Sequence, residues 1–413
     1  MSGTLTRAPS RPVQAEHDFI LYVSELYRAD PHPEKVDLGV GAYRTEEGKP
    51  LILQVVKAAE QRMLEDPNAT KEYPPITGIP AFCDASQRLA FGEGSSALRE
   101  RRVVTAQALS GTGALRLGAE LLSQFYPVRT VYFSNPTWAG HRPIFTPTGM
   151  QLRQYRYFDA VTKGLDFEGM ITDLQAAADG AIVVLHVCAH NPSGVDPSQE
   201  QWRQILAVVL AKKLLPFFDF AYQGFASGDM EKDAYALRLF ADTGMRLLLS
   251  QSYSKNMGLY GERTGALSVV CGSPEAAQRV QGQLKLIIRS IYSCPPRHGA
   301  TIAATVMTDP LLCARWQVEL KAMAERVLAM RACLHAALIA KQAPGDWSFI
   351  VKQVGMFSYT GLSAAQCQHL IAKWHVYLPP DGRISMAGLS AKTCPYLAGA
   401  IIDALAMVPN PSV

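Results

Sequence analysis

Six short apolar segments between about residues 100 and 270 constrain the fold of this chain more than any other feature. Each has the length of a strand, and helical patterns lie between them. Apolar strands that alternate with helices are typical of a mostly parallel sheet that helices cover on both faces. The six segments are RRVVTAQAL, RTVYFS, AIVVLHV, LLPFFDFA, RLLLSQS and ALSVV.

One intervening segment, DPSQEQWRQILAVVLAKK, shows the helical pattern in detail. Asp196 is predicted to cap the helix, with Pro197 at its first position and Gln199 completing a capping box. Four apolar side chains then recur at helical spacing, which indicates a helix with one apolar face. They are Trp202, Ile205, Leu206 and Val209.

The pattern changes after about residue 312, where a smaller α/β unit is predicted. CARWQVELKAMAERVLAMRACLHAALIAK predicts a long helix, whereas WSFIVKQVGMFSYTGL and HVYLPPDGRISMAGL are strand-like. The helix DFILYVSELYR is expected to pack with this unit. A chain of 413 residues favours two domains. We predict an N-terminal arm over residues 1–14, a small domain over 15–50 and 321–413, and a large cofactor-binding domain over 51–320.

Charge and cysteine usage narrow the function classes. The net charge of +4 arises from 40 basic and 36 acidic residues, and no Lys/Arg-rich run gives a nucleic-acid patch. No apolar stretch reaches the length of a membrane span. Eight scattered cysteines without a CxxC pair predict reduced thiols inside a cell. We expect a cytoplasmic location in preference to a mitochondrial one. MSGTLTRAPSRPVQ faintly resembles a transit peptide, but acidic residues follow at once.

Polar residues at the strand ends are the candidates for a site, because ligands of such sheets bind beyond the carboxyl ends of the strands. ALSGTGALRLG, residues 108–118, follows a strand and opens a helix. Backbone N–H groups of Ser110, Gly111 and Thr112 would there cradle a phosphate; a turn that needs small residues is the alternative. Arg116 stands where a dinucleotide-binding GxGxxG motif needs its last glycine, which disfavours a nicotinamide dehydrogenase.

The segment AIVVLHVCAHNPSG ends a strand with two histidines, His186 and His190, followed by Asn191. The pair lacks the helix and the glutamate of an HExxH zinc motif, so histidines held in the core or supporting a site are favoured over metal ligands. Asn-Pro-Ser-Gly indicates a turn, and a cis proline is one option there.

Two charged residues lie where an apolar strand ends or continues. Asp219, inside LLPFFDFAYQGF, needs a cationic or strongly donating partner if it is buried. Either a structural ion pair or a protonated ring nitrogen of a cofactor would serve. Lys255, in QSYSKNMGLYGERTG, is either a solvated loop lysine or a Schiff-base amine. A phosphate cradle, an acidic partner and such a lysine together are what pyridoxal phosphate requires.

Nine ordered blocks give the chain a family resemblance from about residue 15 to its C-terminus. The chain resembles the class I, fold-type I pyridoxal-phosphate-dependent aminotransferases. This implies reversible transamination of L-aspartate with 2-oxoglutarate to oxaloacetate and L-glutamate; a broad-specificity or aromatic aminotransferase is the alternative. It also implies pyridoxal 5'-phosphate, small-molecule substrates and a homodimer with shared active sites. The blocks are VDLGVGAYRT, KEYPPITG, LSGTGALRLGAE, SNPTWAGH, HVCAHNPSG, FFDFAYQGFASG, QSYSKNMGLYGERTG, GMFSYTGL and GRISMAGL.

The resemblance also implies individual roles. Lys255 would carry the Schiff base and move the proton, Asp219 would hold the pyridinium proton, and Tyr222 would donate to the ring oxygen; these are the catalytic residues. His141 and His186 would support Asp219, and no metal is implied. The implied cofactor-binding residues are Ser110, Gly111, Thr112, Trp138, Asn191, Asp219, Tyr222, Ser252, Lys255, Arg263 and, from the partner subunit, Tyr73. The implied substrate-binding residues are Gly41, Trp138, Asn191, Arg383, Phe357 and Arg289, which would reach across the dimer.

Some positions depart from the family pattern. Cys294 stands where asparagine is usual, and Gly140 replaces another asparagine near His141. Because Cys294 is close to Arg289 in the sequence, it affects the expected breadth of substrates more than the type of reaction.

Overall fold

The structure is a computed structural model that describes residues 19–409. The predicted N-terminal arm, residues 1–14, therefore lies outside the described residues. Within residues 19–409, no helix combines the length and apolar character needed to cross a membrane. The helices are α1 Phe19–Ala29, α2 Gln54–Glu65, α3 Pro80–Phe91, α4 Ser96–Arg99, α5 Ser110–Phe125, α6 His141–Phe145, α7 Phe167–Ala176, α8 Gln199–Ala211, α9 Met230–Asp233, α10 Tyr235–Ala241, α11 Pro274–Ile291, α12 His298–Thr308, α13 Pro310–Ala340, α14 Phe349–Lys352, α15 Ala364–Trp374 and α16 Thr393–Met407, with short 3-10 turns at Thr146–Thr148 and Met386–Gly388.

All six predicted strands are present, and they belong to one seven-stranded sheet with the order β2-β10-β9-β8-β7-β3-β4. The neighbours from β9 to β4 pair in parallel, and β10 alone runs antiparallel to both of its neighbours. The prediction of a mostly parallel sheet is confirmed. The strands of the chain are β1 Val36–Asp37, β2 Val103–Leu109, β3 Thr130–Asn135, β4 Gln151–Arg156, β5 Phe158–Asp159, β6 Gly164–Leu165, β7 Ile182–His186, β8 Leu215–Phe220, β9 Leu247–Ser252, β10 Thr264–Val270, β11 Phe357–Tyr359, β12 Val376–Tyr377 and β13 Arg383–Ser385.

Helices cover both faces of this sheet, because successive side chains of a strand point to opposite faces. Phe217 and Phe218 of β8 are both fully buried, yet they belong to two separate apolar clusters. The Phe217 cluster includes residues of α5 and α11, and the Phe218 cluster includes residues of α3, α8 and α10. Consecutive residues of these strands are therefore apolar, since neither face of the sheet is exposed to water.

The helix α8 begins later than the sequence predicts. Ser198 is the N-cap, and its side chain forms a capping box with Gln201; the expected cap at Asp196 and box at Gln199 were wrong. The Asp196 carboxylate instead accepts the backbone N–H groups of Ala189 and His190, at 2.6 and 2.9 Å. The turn that precedes the helix thus outcompetes the predicted cap. The predicted apolar face of α8 is buried.

The smaller unit is built on α13, as predicted, and on short strands. β1 pairs with β12 and β11 with β13, and α1 packs against β1 and β12. The strand-like reading of residues 347–362 was largely wrong: α14 and a turn at Gly355 (φ 76°) interrupt it, so that only Phe357–Tyr359 pairs. The boundary predicted between residues 320 and 321 falls inside the continuous helix α13, and the division into two domains remains a prediction.

Candidate active site

The polar strand ends converge because of the sheet topology. β2, β3, β7, β8 and β9 place their carboxyl ends at one edge, and antiparallel β10 places its amino end there. A cavity of about 190 Å³ opens at this edge. It is lined by Gly41, Ser110, Gly111, Thr112, Leu115, Trp138, His186, Asn191, Asp219, Ala221, Tyr222, Ser252, Ser254, Lys255, Arg263, Phe357 and Arg383.

Three hydroxyl groups meet at the N-terminus of α5. Ser110 Oγ lies 2.9 Å from both Ser252 Oγ and Ser254 Oγ, and the Ser110 backbone N–H donates to the Arg263 carbonyl. Both Ser110 (φ 59°) and Arg263 (φ 53°) have a positive φ, which is uncommon for non-glycine residues. Added to Gly111, a Cβ atom would lie 3.3 Å from Ser252 Cβ. This close cradle of donors at a helix N-terminus suits an anion such as a phosphate.

Asp219 lies at the centre of the floor, 7% exposed, and β7 aligns His186 with it. His141 Nε2 lies 3.2 Å from Asp219 Oδ2, and Thr137 Oγ1 lies 2.8 Å from His141 Nδ1. Burial raises the pKa of Asp219, but the hydrogen bond from His141 and nearby basic groups, including Lys255, oppose it, and the net shift is downward. The carboxylate is therefore ionised, and its open side faces the cavity.

His186 completes this chain of hydrogen bonds. Its Nδ1 accepts the Asn191 N–H at 3.2 Å, and its Nε2 lies 3.5 Å from Thr137 Oγ1. Burial lowers the pKa of His186 to about 3, so it is neutral at physiological pH. The network assigns the proton of His186 to Nε2 and directs the Thr137 hydroxyl to His141 Nδ1. His141 Nε2–H then donates to Asp219.

The same three side chains, His141, His186 and Asp219, have ligand atoms within 4.8 Å of one another. The hydrogen-bonded chain through Thr137 accounts for their closeness. His190, the second histidine of the sequence pair, turns away: it lies 2.8 Å from Ser134 Oγ and 2.7 Å from Ser193 Oγ, and it stacks on a tyrosine ring. The predicted cis peptide at Asn191–Pro192 is present.

Lys255 follows β9 and reaches into the cavity, with Nζ 5.3 Å from the centre of the Tyr222 ring. Burial lowers the pKa of its amine to about 8; Arg263 and Arg383 act in the same direction, and Asp219 opposes them. A substantial fraction of Lys255 is thus neutral near physiological pH, as a nucleophilic or basic amine requires.

Arg383 closes the opposite wall and is 4% exposed. Its Nη2 donates to the Gly39 carbonyl at 2.7 Å and its Nη1 to Asn191 Oδ1 at 3.3 Å. The guanidinium carbon lies 4.1 Å from the centre of the Phe357 ring. A Cβ on Gly41 would lie 2.5 Å from that ring, so glycine is needed for this contact. A planar guanidinium held in this way suits a carboxylate.

The Trp138 indole lies against Gly140, where a Cβ would come within 2.5 Å of it. In this chain the absence of a side chain at 140 lets the indole lean toward His141, whose ring centre is 5.4 Å away.

Two predicted residues lie away from the cavity of this single chain. Tyr73 is 81% exposed and lines a separate groove of about 870 Å³, together with Cys294. Arg289 is exposed on α11, where it bonds to Ser293. Sequence reasoning in turn missed Ser254, Leu115 and Ala221 in the lining and Thr137 in the hydrogen-bonded chain. Ser254 directly precedes Lys255, and its hydroxyl group beside the candidate lysine is the sequence signal that could have identified Ser254 as a site residue.

Comparison with known proteins gives a consistent result. The family model for aminotransferases of class I and II matches residues 33–401. A cytoplasmic aspartate aminotransferase of Oryza sativa subsp. japonica is 55% identical over 94% of this chain and 95% of its own length. Among solved structures, the aspartate aminotransferase from the cytoplasm of Saccharomyces cerevisiae has a TM-score of 0.94 at 40% identity, covering 96% of this chain and 98% of that one. An aromatic-amino-acid aminotransferase of Burkholderia pseudomallei, covalently bound to pyridoxal phosphate, has a TM-score of 0.92 at 44% identity, covering 96% and 99%.

Proposed function

The chain belongs to the family of class I and II aminotransferases, and on that premise we propose that it transfers an amino group reversibly between L-aspartate and 2-oxoglutarate, giving oxaloacetate and L-glutamate. The observation that carries this proposal is the meeting of Lys255, Asp219 and Arg383 in one cavity. An amine of lowered pKa, an ionised carboxylate and a carboxylate-binding guanidinium are the groups that transamination of an amino acid needs.

The cavity fits pyridoxal 5'-phosphate, the cofactor that the family implies. The hydroxyls of Ser110, Ser252 and Ser254 and the N-terminus of α5 form a cradle for its phosphate. Asp219 would hold the ring nitrogen, Asn191 and Tyr222 would bind the ring oxygen, and Trp138 would lie against the ring. When bound, pyridoxal phosphate supplies an aldehyde that condenses with amines and a ring that accepts electrons from the substrate's α carbon.

The protein's own groups perform the proton transfers and fix the substrate. Lys255 Nζ, with its pKa lowered to about 8, would move a proton between the α carbon of the amino acid and the aldehyde carbon of the bound cofactor, in either direction. Arg383 holds the α-carboxylate with both guanidinium arms. The ionised Asp219, held by His141, keeps a positive charge on the ring nitrogen it faces.

A test of this role replaces Lys255 by alanine. We expect transamination to fall by more than about a thousandfold, because the amine that transfers the proton is lost. Borohydride reduction of the wild-type holoenzyme followed by peptide mapping should place the pyridoxyl label on Lys255. The exposed Lys321 offers a matched control, and Lys321→Ala should leave both results unchanged. A label on any other lysine contradicts the proposal.

We further propose a homodimer in which Tyr73 and Arg289 enter the partner's cavity. This is supported by their exposure and by the fact that neither lines the cavity of its own chain. Mixing Lys255→Ala with Arg289→Leu tests it: after subunit exchange, one site of each mixed dimer regains both side chains, and aspartate turnover returns. Verified exchange without recovery would mean that each chain uses its own Arg289.

An aromatic or broad-specificity aminotransferase is the second candidate, since an aromatic-amino-acid enzyme is among the similar solved structures. Arg289 separates the two functions. Arg289→Leu should reduce turnover of aspartate about a hundredfold more than turnover of phenylalanine if Arg289 binds the second carboxylate. Equal losses favour the aromatic enzyme. The eight free thiols agree with the cytoplasmic location that we propose, which cell fractionation tests.

A further inference from the structure

Arg331 of α13 is a fully buried arginine outside the cavity, 1% exposed. Within residues 19–409, no carboxylate lies within salt-bridge distance of it, and its guanidinium bonds only to backbone carbonyls. Burial lowers its pKa to about 9, so the group is still charged at physiological pH. Placing a charge in the core without a counter-charge is unfavourable, and an apolar side chain of similar volume would pack there more cheaply. The position therefore requires an explanation from its partners.

The three carbonyls that Arg331 binds belong to one segment that leads into the cavity wall. They are those of Ile350 at 2.9 Å, Gly355 at 2.8 Å, and Phe357. Between them the chain leaves α14, turns at Gly355 and enters β11. Little regular structure lies between α14 and β11, and one guanidinium donates to all three carbonyls.

The same segment packs against the loop that carries Asn191. Val354 N–H donates to the Gly194 carbonyl at 2.7 Å, and a Cβ on Gly355 would lie 2.4 Å from Ala189 Cβ. Phe357 leaves this contact with its ring facing the Arg383 guanidinium at 4.1 Å. Fixing the backbone on both sides of the Gly355 turn thus fixes the position of the ring.

We propose that Arg331 is a positioning residue for substrate binding, acting through the Phe357 ring on the guanidinium of Arg383. Arg331 does not line the cavity itself. It holds the backbone from which the ring projects, and the ring holds the plane of the guanidinium that receives the carboxylate. A guanidinium can bind two carboxylate oxygens only when its plane is fixed. The proposal rests on the role given above to Arg383.

The test measures binding of an unreactive dicarboxylate, succinate, to the holoenzyme by calorimetry, alongside steady-state kinetics with aspartate. Arg331→Lys keeps the charge but cannot reach all three carbonyls. We expect the Kd for succinate to rise about tenfold or more, with KM for aspartate rising by a similar factor and kcat changing less. Arg331→Met should weaken binding further if it folds; Arg331→Lys suffices if it does not.

Two controls separate positioning from loss of stability. Leu334→Ala opens a cavity one turn along the same buried face of α13 and should lower the melting temperature without changing the succinate Kd. Arg315→Lys, on the exposed side of α13, should change neither quantity. If Arg331→Lys lowers the melting temperature as Leu334→Ala does, yet binds succinate like the wild type, Arg331 is only structural.

A further pair of variants distinguishes this inference from the proposed function. Arg383→Lys should abolish measurable succinate binding; if it does not, the assigned substrate site is wrong. If Arg383→Lys loses binding while Arg331→Lys binds normally, only the positioning role is overturned. Phe357→Leu combined with Arg331→Lys should weaken binding no more than either change alone, since both act on the same contact. Additive losses would contradict action through the ring.

Discussion

Two buried aspartates, fourteen residues apart in the sequence, have opposite environments. Asp219 and Asp233 are 7% and 6% exposed. Asp233 accepts four hydrogen bonds from its own loop: from the N–H groups of Gly224, Ala226 and Ser227 at 2.8–3.1 Å and from the Ser227 hydroxyl at 2.6 Å. Within the part of the chain that the structure describes, the Asp219 carboxylate has one such partner, His141.

The difference in hydrogen-bond partners shows how a structural buried carboxylate can be distinguished from a functional one. Both carboxylate oxygens of Asp233 accept hydrogen bonds that close a turn, and burial still raises its pKa to about 6. The lone pairs of Asp219 that His141 does not use face the cavity, and the pKa of Asp219 is lowered. Burial by itself therefore does not mark a functional carboxylate. The lone pairs that the fold leaves available at a cavity do.

The largest expected effect is on activity. Asp219→Asn should lower kcat/KM for aspartate by about 10²–10⁴-fold, because an amide cannot stabilise a positive ring nitrogen that it faces in a buried site. Asp233→Asn is the matched control and should stay within about threefold of the wild type. Steady-state kinetics on the two purified holoenzymes measure this. Near-normal turnover by Asp219→Asn would contradict the assignment of Asp219, but not Asp233, as a functional carboxylate.

The comparison reverses for stability. Asp233→Asn should lower the free energy of unfolding by about 2–3 kcal/mol, since the amide cannot accept all four hydrogen bonds and buried donors lose their acceptor. Asp219→Asn should change it by less than about 1 kcal/mol, because only the His141 bond is altered. Urea denaturation of the apoproteins tests both. A stability loss larger in Asp219→Asn than in Asp233→Asn is the opposite of what we expect.

The two aspartates should also give opposite dependences of stability on pH. For Asp233 the folded pKa of about 6 lies above the ordinary value, so the folded state binds the extra proton; this stabilisation is present below about pH 4 and is lost as pH rises to about 6, by up to about 3 kcal/mol. For Asp219 the folded pKa is lowered, so its contribution is present above the ordinary value and is lost as pH falls. The free energy of unfolding, measured against pH, should fall more steeply between about pH 4 and 6 in the wild type than in Asp233→Asn. Parallel curves for the two proteins would contradict a raised pKa for Asp233.

The smallest effect concerns what keeps Asp219 ionised. In His141→Leu the carboxylate stays buried but loses its donor, so its pKa should rise. We expect about a tenfold loss of kcat/KM at neutral pH, increasing toward lower pH, where protonation of Asp219 becomes complete. The pH profile of kcat/KM is the measurement. His190→Leu, which removes an imidazole that does not touch Asp219, should leave the acid limb of that profile in place.

Local pattern predicted the large sheet well and the small unit poorly. A strand such as β7 is buried at every position and apolar at all but its last, His186, so burial on both faces follows from its composition. In residues 347–362 the alternation is weaker, and the contact of Gly355 with Ala189 decides where the chain turns. The misplaced cap of α8 has a more local origin, because the Asp196 carboxylate accepts from backbone N–H groups six and seven residues earlier, in the turn that precedes the helix.

The sequence by itself determined which chemical groups this protein can bring to a site: one lysine after β9, one aspartate within β8, a small-residue turn after β2 and an arginine beside β10. Only the tertiary structure decided that they share a cavity, since the strand order β2-β10-β9-β8-β7-β3 places residues far apart in the chain at one edge. It also decided the protonation of Asp219 and Lys255. Burial and charged neighbours shift a pKa through distances in space, and those distances arise from packing that local sequence patterns do not specify.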